Sequence, residues 1–332
     1  MRVIVCREFG PPEQLVLEER ASPTPAPGQV VVAVRAAGVN FTDVLATQGR
    51  SQLKIQPPFT PGVEVAGVVS RAGAGVTRLR EGMRVLATGF HGGYAEEIAF
   101  ADLEVVAIPD AMDFETAAAF YIASNTALYA LRKRARLQRG ETLLVLGAGS
   151  GAGLAAIGVG KALGARVVAA GSSDAKLELA SRHGADETLR YSLGPLDLAG
   201  QKALASEFRA LTNGTGFSVI YDGVGGTYAE PALRSIARCG RYLCVGFAAG
   251  VPSVPLSTAL FRNADILGIE LSDPENREPG RNADGVATLF ELFEQGRLRP
   301  EITATFPLEQ AGRAQRLLLD RRATGRIVLT TR

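Results

Sequence analysis

The sequence predicts an α/β protein in which a barrel-like domain of short strands is combined with a parallel sheet covered by helices. Before Asp113, short apolar strands are separated by closely spaced Pro- and Gly-rich turns, which is typical of a compact β-barrel-like domain. From Glu141 onward, uniformly apolar short strands alternate with helices. That alternation indicates a parallel sheet buried on both faces.

The first of these parts is defined by its turns. The Pro-rich turn Pro23–Gly28 precedes the first strong strand, and the turn Ala72–Gly75 follows the second. The predicted strands are Gln29–Arg35, Val63–Val69, Arg84–Ala87 and Tyr94–Ala99.

The second part opens with two stretches rich in Ala and Leu, which predict helices over Glu115–Phe120 and Asn125–Arg136. The predicted strands that follow are Thr142–Leu146, Arg166–Ala170, Phe217–Tyr221, Arg241–Val245 and Asp265–Glu270, with helices over Leu154–Leu163 and Asp174–His183.

The pattern loosens in the C-terminal tail. Helices are predicted over Ala283–Gln295 and Leu308–Asp320, and strands over Thr303–Phe306 and Arg326–Thr330. The tail could be a third unit or could complete the N-terminal domain. The second interpretation is favoured, because about 60 residues form only a marginal core alone.

Bulk composition excludes several classes of protein. The chain has 332 residues, 46% of them hydrophobic, and a net charge of +2, with one short basic cluster at Arg132–Arg136. This cluster is typical of the solvated last turn of a helix and argues against nucleic-acid binding. Three cysteines without a pairing pattern suit a reducing compartment, and no apolar run approaches roughly twenty residues. We therefore expect a cytoplasmic protein without a membrane segment.

A glycine-rich loop, Gly147–Gly153, lies directly between a predicted strand and a predicted helix. Glycines allow a tight turn and close approach to a pyrophosphate, while the helix N-terminus offers unpaired N–H groups. A flexible turn is the alternative, but the strand–loop–helix context favours dinucleotide binding. An esterase nucleophile elbow is rejected, because Ala148 and Ala152 occupy the positions that it requires to be glycine.

The end of the second strand favours NADP over NAD. NAD sites usually place a carboxylate there, whereas this chain has Gly171, Ser172 and Ser173, with Lys176 one turn later. Hydroxyls beside a cation suit a 2′-phosphate, although one of the two serines could simply cap the helix. Asp174 could oppose this interpretation, but as a first-turn residue it can point to solvent.

Metal binding is not expected. The two histidines, His91 and His183, and the three cysteines do not form a ligand set, and a structural zinc site needs four thiolates.

Several motifs together resemble the quinone oxidoreductase (zeta-crystallin-like) branch of the medium-chain dehydrogenase/reductases. Besides the glycine loop, they occur in the expected order over nearly the whole chain: Gly38–Asp43, Pro58–Gly67, Gly92–Glu96, Tyr221–Gly226, Gly240–Gly246 and Ala323–Leu329.

The resemblance implies three segments. A GroES-like catalytic domain would begin in residues 1–119, a Rossmann NADP-binding domain would occupy 120–262, and residues 263–332 would return to the catalytic domain. Zinc-dependent relatives carry Cys and His where this chain has Asn40 and Phe41, and His where it has Val63. A homodimer is also implied, with the strand Asp265–Glu270 pairing across a two-fold axis.

The resemblance also implies site residues. Asn40, Phe41 and Asp43 would face the reacting centre. The pyrophosphate would be bound by Gly149, Ser150, Gly151 and Ala152. The adenosine 2′-phosphate would be surrounded by Gly171, Ser172, Lys176 and Tyr191. The nicotinamide would be lined by Gly246, Phe247, Ala248, Ile269, Glu270 and Leu271, with Tyr129 and Arg322 as further candidates.

Two of these residues have ordinary packing alternatives. Tyr191 could be a half-buried strand aromatic, and Phe41 could pack in the core. One departure concerns the tyrosines that the branch often carries after the Asn-Phe-x-Asp motif. Leu45 and the stretch Gly49–Ser51 stand there instead, so no phenolic proton donor is carried over.

The expected function is NADPH-dependent, zinc-free hydride transfer to a quinone or an α,β-unsaturated carbonyl, with the proton taken from solvent. Two alternatives remain open: reduction of an enoyl or enal double bond, and a non-catalytic NADPH-binding protein with a structural or RNA-binding role.

Overall fold

The computed structural model describes residues 1–51, 54–271 and 273–331, and the chain divides into two compact units. The first unit contains Met1–Ile122 and the described residues of 272–294 and 299–332. The second contains Ala123–Leu271 and Gln295–Leu298.

The strands, in chain order, are β1 (Arg2–Val5), β2 (Val16–Glu19), β3 (Gln29–Val39), β4 (Glu64–Ala72), β5 (Arg84–Thr88), β6 (Glu97–Ala101), β7 (Val105–Ala107), β8 (Thr142–Leu146), β9 (Arg166–Gly171), β10 (Glu187–Arg190), β11 (Phe217–Asp222), β12 (Ile236–Cys244), β13 (Asp265–Gly268), β14 (Ile302–Pro307) and β15 (Arg326–Thr330).

The helices are α1 (Phe41–Thr47), α2 (Phe114–Leu128), α3 (Gly151–Ala162), α4 (Asp174–Arg182), α5 (Leu198–Ala210), α6 (Ala229–Arg234), α7 (Leu256–Arg262), α8 (Pro274–Arg277), α9 (Ala283–Glu294) and α10 (Ala311–Leu319). A π-helical turn, Tyr129–Arg134, continues α2.

The first unit is built on a mixed sheet of order β14-β15-β3-β4-β5-β7, with β6 also paired to β3. The long strand β3 is buried along most of its length and is antiparallel to β4, β6 and β15. Its pairing with β15 brings the C-terminal tail into the sheet, with Thr330 opposite Ala36. Strands β14 and β15 of the tail therefore lie in the same sheet as the N-terminal strands.

The second unit contains a parallel sheet of order β10-β9-β8-β11-β12-β13. The chain starts at β8 and winds outward in one direction through β9 and β10, then in the other from β11 to β13. Helix α3 packs on β8 and β9, and α6 packs on β11 and β12. This is the predicted doubly wound sheet, and its direction of winding reverses between β8 and β11.

One local prediction was wrong. The sequence predicted two helices with a break between Phe120 and Asn125, but α2 runs through this stretch without interruption. The four intervening residues include neither Gly nor Pro, and Tyr121, Ala123 and Ser124 are buried. Nothing in this segment therefore favours a break, and its packing holds it in the helix.

The boundaries between the units lie later than the predicted residues 119 and 262. Helix α2 passes through the first boundary at Ile122. Strand β13 pairs with β12, so that residues 263–271 stay with the second unit. In the described part of the chain, no helix is both long and apolar enough to cross a membrane.

Candidate functional site

The predicted cofactor residues that follow strands of the second unit lie at one edge of its sheet. They come after the carboxyl ends of their strands: Gly149–Ala152 after β8, Ser172 after β9, Tyr191 after β10, Gly246–Ala248 after β12 and Ile269–Leu271 after β13. Because these strands are parallel, their carboxyl ends meet at the same edge. Open α/β sheets bind ligands in the crevice at this edge, where the strand order reverses.

The glycine loop has the shape that a phosphate cradle needs. Gly147 adopts φ +72°, which favours glycine. A Cβ on Gly153 would lie 2.4 Å from the Gly147 carbonyl oxygen and 2.8 Å from the Ala148 Cα atom. Only glycine at this position allows α3 to start so close to β8, and this brings the helix N-terminus to the loop.

Ser150 organises this loop from within. Its hydroxyl donates to the Gly147 carbonyl oxygen at 2.8 Å and accepts from the Gly153 N–H at 3.1 Å, which makes Ser150 the N-cap of α3. Helix α3 thus starts at Gly151 and not at the predicted Leu154. The first N–H groups of a helix, here including those of Gly151 and Ala152, have no carbonyl partner within the helix and can bind an anion.

The end of β9 carries the predicted hydroxyls and cation. Ser173 is the helix cap, because its Oγ atom accepts from the Lys176 N–H at 3.4 Å. Ser172 is half-buried. The base of the Lys176 side chain packs against the glycine loop, since a Cβ on Gly149 would lie 2.4 Å from the Lys176 Cβ atom. Ser173 is therefore the serine that caps the helix, and Ser172 and Lys176 remain candidates for contact with a 2′-phosphate.

Asp174 is the first residue of α4 and is paired with a cation that the sequence reasoning missed. Its Oδ2 atom lies 2.8 Å from Nη1 of Arg190, the last residue of β10. The expected exposure of Asp174 is confirmed, with 81% of its side chain accessible.

Tyr191 is buried one residue beyond β10. Its ring packs on Tyr228 with 4.8 Å between the ring centroids, and its N–H donates to the Gly171 carbonyl oxygen at 3.0 Å. The Tyr228 hydroxyl donates at 2.6 Å to the Ser192 carbonyl oxygen and so fixes the following loop. Contact of Tyr191 with a 2′-phosphate stays a prediction.

Asp222 organises the point where the strand order reverses. Its Oδ1 atom accepts from the N–H groups of Val224 at 2.7 Å and Gly225 at 2.9 Å, and the Tyr242 hydroxyl donates to Oδ2. Burial raises the pKa of the Asp222 carboxyl, and these hydrogen bonds oppose the rise. The motif Tyr221–Gly226 pointed to this turn, but the sequence did not assign the carboxylate a role.

The first unit holds a buried polar network around Asn40. The Asn40 amide oxygen accepts from Arg326 Nη1 at 2.8 Å, and Arg326 Nη2 donates to Glu64 Oε2 at 2.7 Å. Glu64 Oε1 accepts from the Ile122 N–H at 2.8 Å. Burial raises the pKa of Glu64, and the neighbouring Arg326 opposes this rise. This pairing could not be predicted from the sequence, because Arg326 is far from both partners along the chain.

Asp43 lies beside this network and is almost fully buried. Its Oδ2 atom accepts from the Asn40 N–H at 2.8 Å and from the Tyr94 hydroxyl at 3.0 Å. Burial raises the pKa of Asp43 to about 7. Asp43 thus stabilises the start of α1, where Phe41 is half-buried. Contact of any of these residues with a substrate stays a prediction.

Two further candidates lie outside these groups. Tyr129 is half-buried in the π-helical turn after α2, and Arg322 is exposed in the turn after α10. Among residues 1–51, 54–271 and 273–331, no group of three or more His, Cys, Asp or Glu side chains is arranged to hold a metal ion.

A chain with this mixed N-terminal sheet, completed by the C-terminal tail, and a doubly wound sheet with a glycine-loop site is a medium-chain dehydrogenase/reductase. The model of the alcohol dehydrogenase GroES-like domain matches residues 26–110, and the model of the zinc-binding dehydrogenase domain matches residues 151–282. These matches confirm the predicted GroES-like and Rossmann parts.

Individual relatives narrow the class. The quinone oxidoreductase of Pseudomonas aeruginosa is 37% identical, and the alignment covers 97% of each chain. The quinone oxidoreductase-like protein 2 of Bos taurus is 36% identical over 99% of this chain and 92% of its own. A mycobacterial protein solved in complex with NADPH is 30% identical, with a TM-score of 0.91 over 99% of this chain and 100% of its own. The chain belongs to the quinone oxidoreductase family, which confirms the resemblance.

Proposed function

We propose that this protein is an NADPH-dependent oxidoreductase that reduces quinones or α,β-unsaturated carbonyls by zinc-free hydride transfer. The carboxyl edge of the parallel sheet carries this proposal, because it combines a glycine phosphate cradle with the Ser172 hydroxyl and with the cations Lys176 and Arg190, which follow or end β9 and β10. The NADPH complex of the similar mycobacterial protein supports the choice of cofactor.

The residues at this edge fit NADPH in their chemistry. The first N–H groups of α3, together with the loop residues Gly149 and Ser150, would bind the pyrophosphate. Ser172, Lys176 and Tyr191 would surround the 2′-phosphate. The nicotinamide would be lined by Gly246, Phe247, Ala248, Ile269, Glu270 and Leu271, and Tyr129 and Arg322 are assigned as further cofactor contacts.

When bound, NADPH supplies a hydride, and the chain's own residues must stabilise the negative charge that develops on the acceptor oxygen. Asn40 is the proposed donor. Its amide oxygen is held by Arg326, which fixes the orientation of the amide nitrogen. That nitrogen makes long hydrogen bonds of 3.5 Å to oxygens of Glu64 and Gly38, and in the proposed reaction it would exchange one of these for a bond to the acceptor oxygen.

The direct test is to measure NADPH oxidation with a panel of simple quinones, enones and enals. The reaction is monitored through the loss of the absorbance of the reduced nicotinamide. We expect steady turnover, and the ranking of acceptors by kcat/KM identifies the substrate class. Preference for enals or enoyl thioesters would favour a double-bond reductase. NADPH binding without turnover of any acceptor would contradict the proposal and favour the non-catalytic binding protein.

The role of Asn40 can be separated from that of the network that holds it. Asn40→Ala should lower kcat/KM by roughly 10²-fold, the order of one lost oxyanion donor, and leave the Kd for NADPH unchanged. Arg326→Lys keeps the charge beside Glu64 and is the matched control for network damage. An Asn40→Ala variant with unchanged kcat/KM would remove Asn40 from the mechanism.

We also propose a homodimer formed through β13, the last strand in the described order of the second sheet. Next to it, α7 exposes Leu256, Leu260 and Phe261, the last with 78% of its surface accessible in a single copy of the chain. Exposed apolar groups beside an edge strand suit a second copy related by a two-fold axis.

The dimer is tested by light scattering after size-exclusion chromatography. We expect a dimer for the unchanged chain and a monomer for Phe261→Asp, with Leu198→Asp, an equally exposed residue of α5, as the control. A monomeric unchanged chain would contradict the assignment.

A further inference from the structure

Asp174 lies just beyond the strand end at which a carboxylate normally selects NAD. NAD sites place the acidic residue that binds the ribose hydroxyls at the end of the second strand, which here is Gly171, and Asp174 is the first residue of the helix that follows, α4. A free carboxylate at this position would repel a 2′-phosphate. In this chain the carboxylate has a cationic partner, Arg190, at 2.8 Å.

The register of the sheet brings Arg190 to this point. Arg190 ends β10 and lies opposite Gly171, which ends β9. The following N–H, that of Tyr191, donates to the Gly171 carbonyl oxygen at 3.0 Å and holds the two strand ends together. The Arg190 side chain is 60% exposed, so its guanidinium can contact a ligand at the end of β9 while it is paired.

We propose that Arg190 and Asp174 form a pair that determines cofactor selectivity, an inference that rests on the proposed NADPH-dependent function. Arg190 contacts the 2′-phosphate and neutralises Asp174. A guanidinium suits both roles, because its planar set of donors can bind a carboxylate and a phosphate oxygen at the same time. Asp174 positions Arg190 and limits the selectivity, because its charge opposes the phosphate.

A purely structural role for the pair makes a different prediction. If the pair only tied β10 to α4, its loss would change the affinities for NADPH and NADH by the same factor. If it selects the cofactor, the ratio of the two affinities must change. The ratio of the Kd values is thus the decisive quantity.

The experiment is a titration of NADPH and NADH against the full chain at fixed salt, by nicotinamide fluorescence. Arg190→Ala should raise the Kd for NADPH about tenfold, the order of one charge-assisted phosphate contact. The Kd for NADH should stay unchanged or fall. Arg190→Lys should retain part of the selectivity, because it keeps the charge without the planar donors. Asp174→Asn should tighten NADPH about threefold, by removing a like charge from the phosphate.

Arg166→Ala is a matched control. Arg166 and Glu187 form an exposed ion pair between β9 and β10 at the opposite ends of the same strands. This variant should change neither Kd.

The outcomes separate two failures. An unchanged chain that does not bind NADPH would overturn the proposed function itself. A chain that prefers NADPH, and whose Arg190→Ala and Asp174→Asn variants keep the original ratio of Kd values, would overturn the selectivity pair alone.

Discussion

The glycine loop of the second unit and the polar network of the first are built by opposite means. The loop uses backbone groups of consecutive residues, and its only side-chain hydrogen bonds in the described structure are those of Ser150. The network uses side chains from three distant parts of the chain, Asn40, Glu64 and Arg326. A site built from backbone is rigid by conformation, whereas a site built from buried side chains depends on every partner being present.

The largest effect on NADPH affinity is expected from a side chain that fills the glycine loop. Gly153→Val would place side-chain atoms against the Gly147 carbonyl oxygen, already 2.4 Å from an added Cβ, and displace α3 from the loop. We expect NADPH affinity to fall at least about 100-fold, because the pyrophosphate contacts depend on that close approach.

This prediction is checked by NADPH titration together with circular dichroism. Gly200→Ala, near the start of α5 in the same unit, is the control and should bind NADPH normally. Normal NADPH affinity in Gly153→Val would show that the cradle is not the cofactor site.

Removing the cation from the buried network of Asn40, Glu64 and Arg326 should destabilise the folded chain, because a buried charge is then left unpaired. Arg326→Met leaves Glu64 buried without its cation, and we expect a loss of about 3–5 kcal/mol in the free energy of unfolding. The double variant Glu64→Gln/Arg326→Met should recover most of this loss, because neither member of the pair then carries a charge. Urea unfolding followed by circular dichroism measures both. A double variant no more stable than Arg326→Met would contradict the charge argument.

Asp43 should make a smaller contribution to the free energy of unfolding, and this contribution depends on pH. Burial raises the pKa of the Asp43 carboxyl from its ordinary value of 3.8 to about 7 in the folded chain. The folded state therefore binds the proton more tightly than the unfolded state does. The resulting stabilisation is complete below about pH 4 and is lost as the pH rises through 7, by roughly 2–4 kcal/mol.

Asp43→Asn should remove this part of the pH dependence, and unfolding free energies measured from pH 4 to pH 8 test it. Asp110→Asn, an exposed carboxylate, should keep the pH profile of the unchanged chain. Identical profiles for the Asp43→Asn variant and the unchanged chain would show that Asp43 does not carry the linkage.

The same contrast explains what could be predicted from sequence. The glycine loop and the strands around it are local patterns, and β8 and β15 have the predicted bounds. Arg326 was visible within a motif, yet its partners are set by the antiparallel pairing of β15 with β3, which residue spacing does not encode. Arg190 was missed for a related reason, because only the register of β10 against β9 places it beside Asp174.

The central claim is that the carboxyl edge of the parallel sheet is an NADPH site, and paired titrations of the unchanged chain with NADPH and NADH test it most directly. We predict saturable binding of NADPH with a Kd at least about tenfold below that of NADH. The reason is that Ser172, Lys176 and Arg190 provide a hydroxyl and two cations that can bind the 2′-phosphate. Equal affinities, or tighter binding of NADH, would contradict the account.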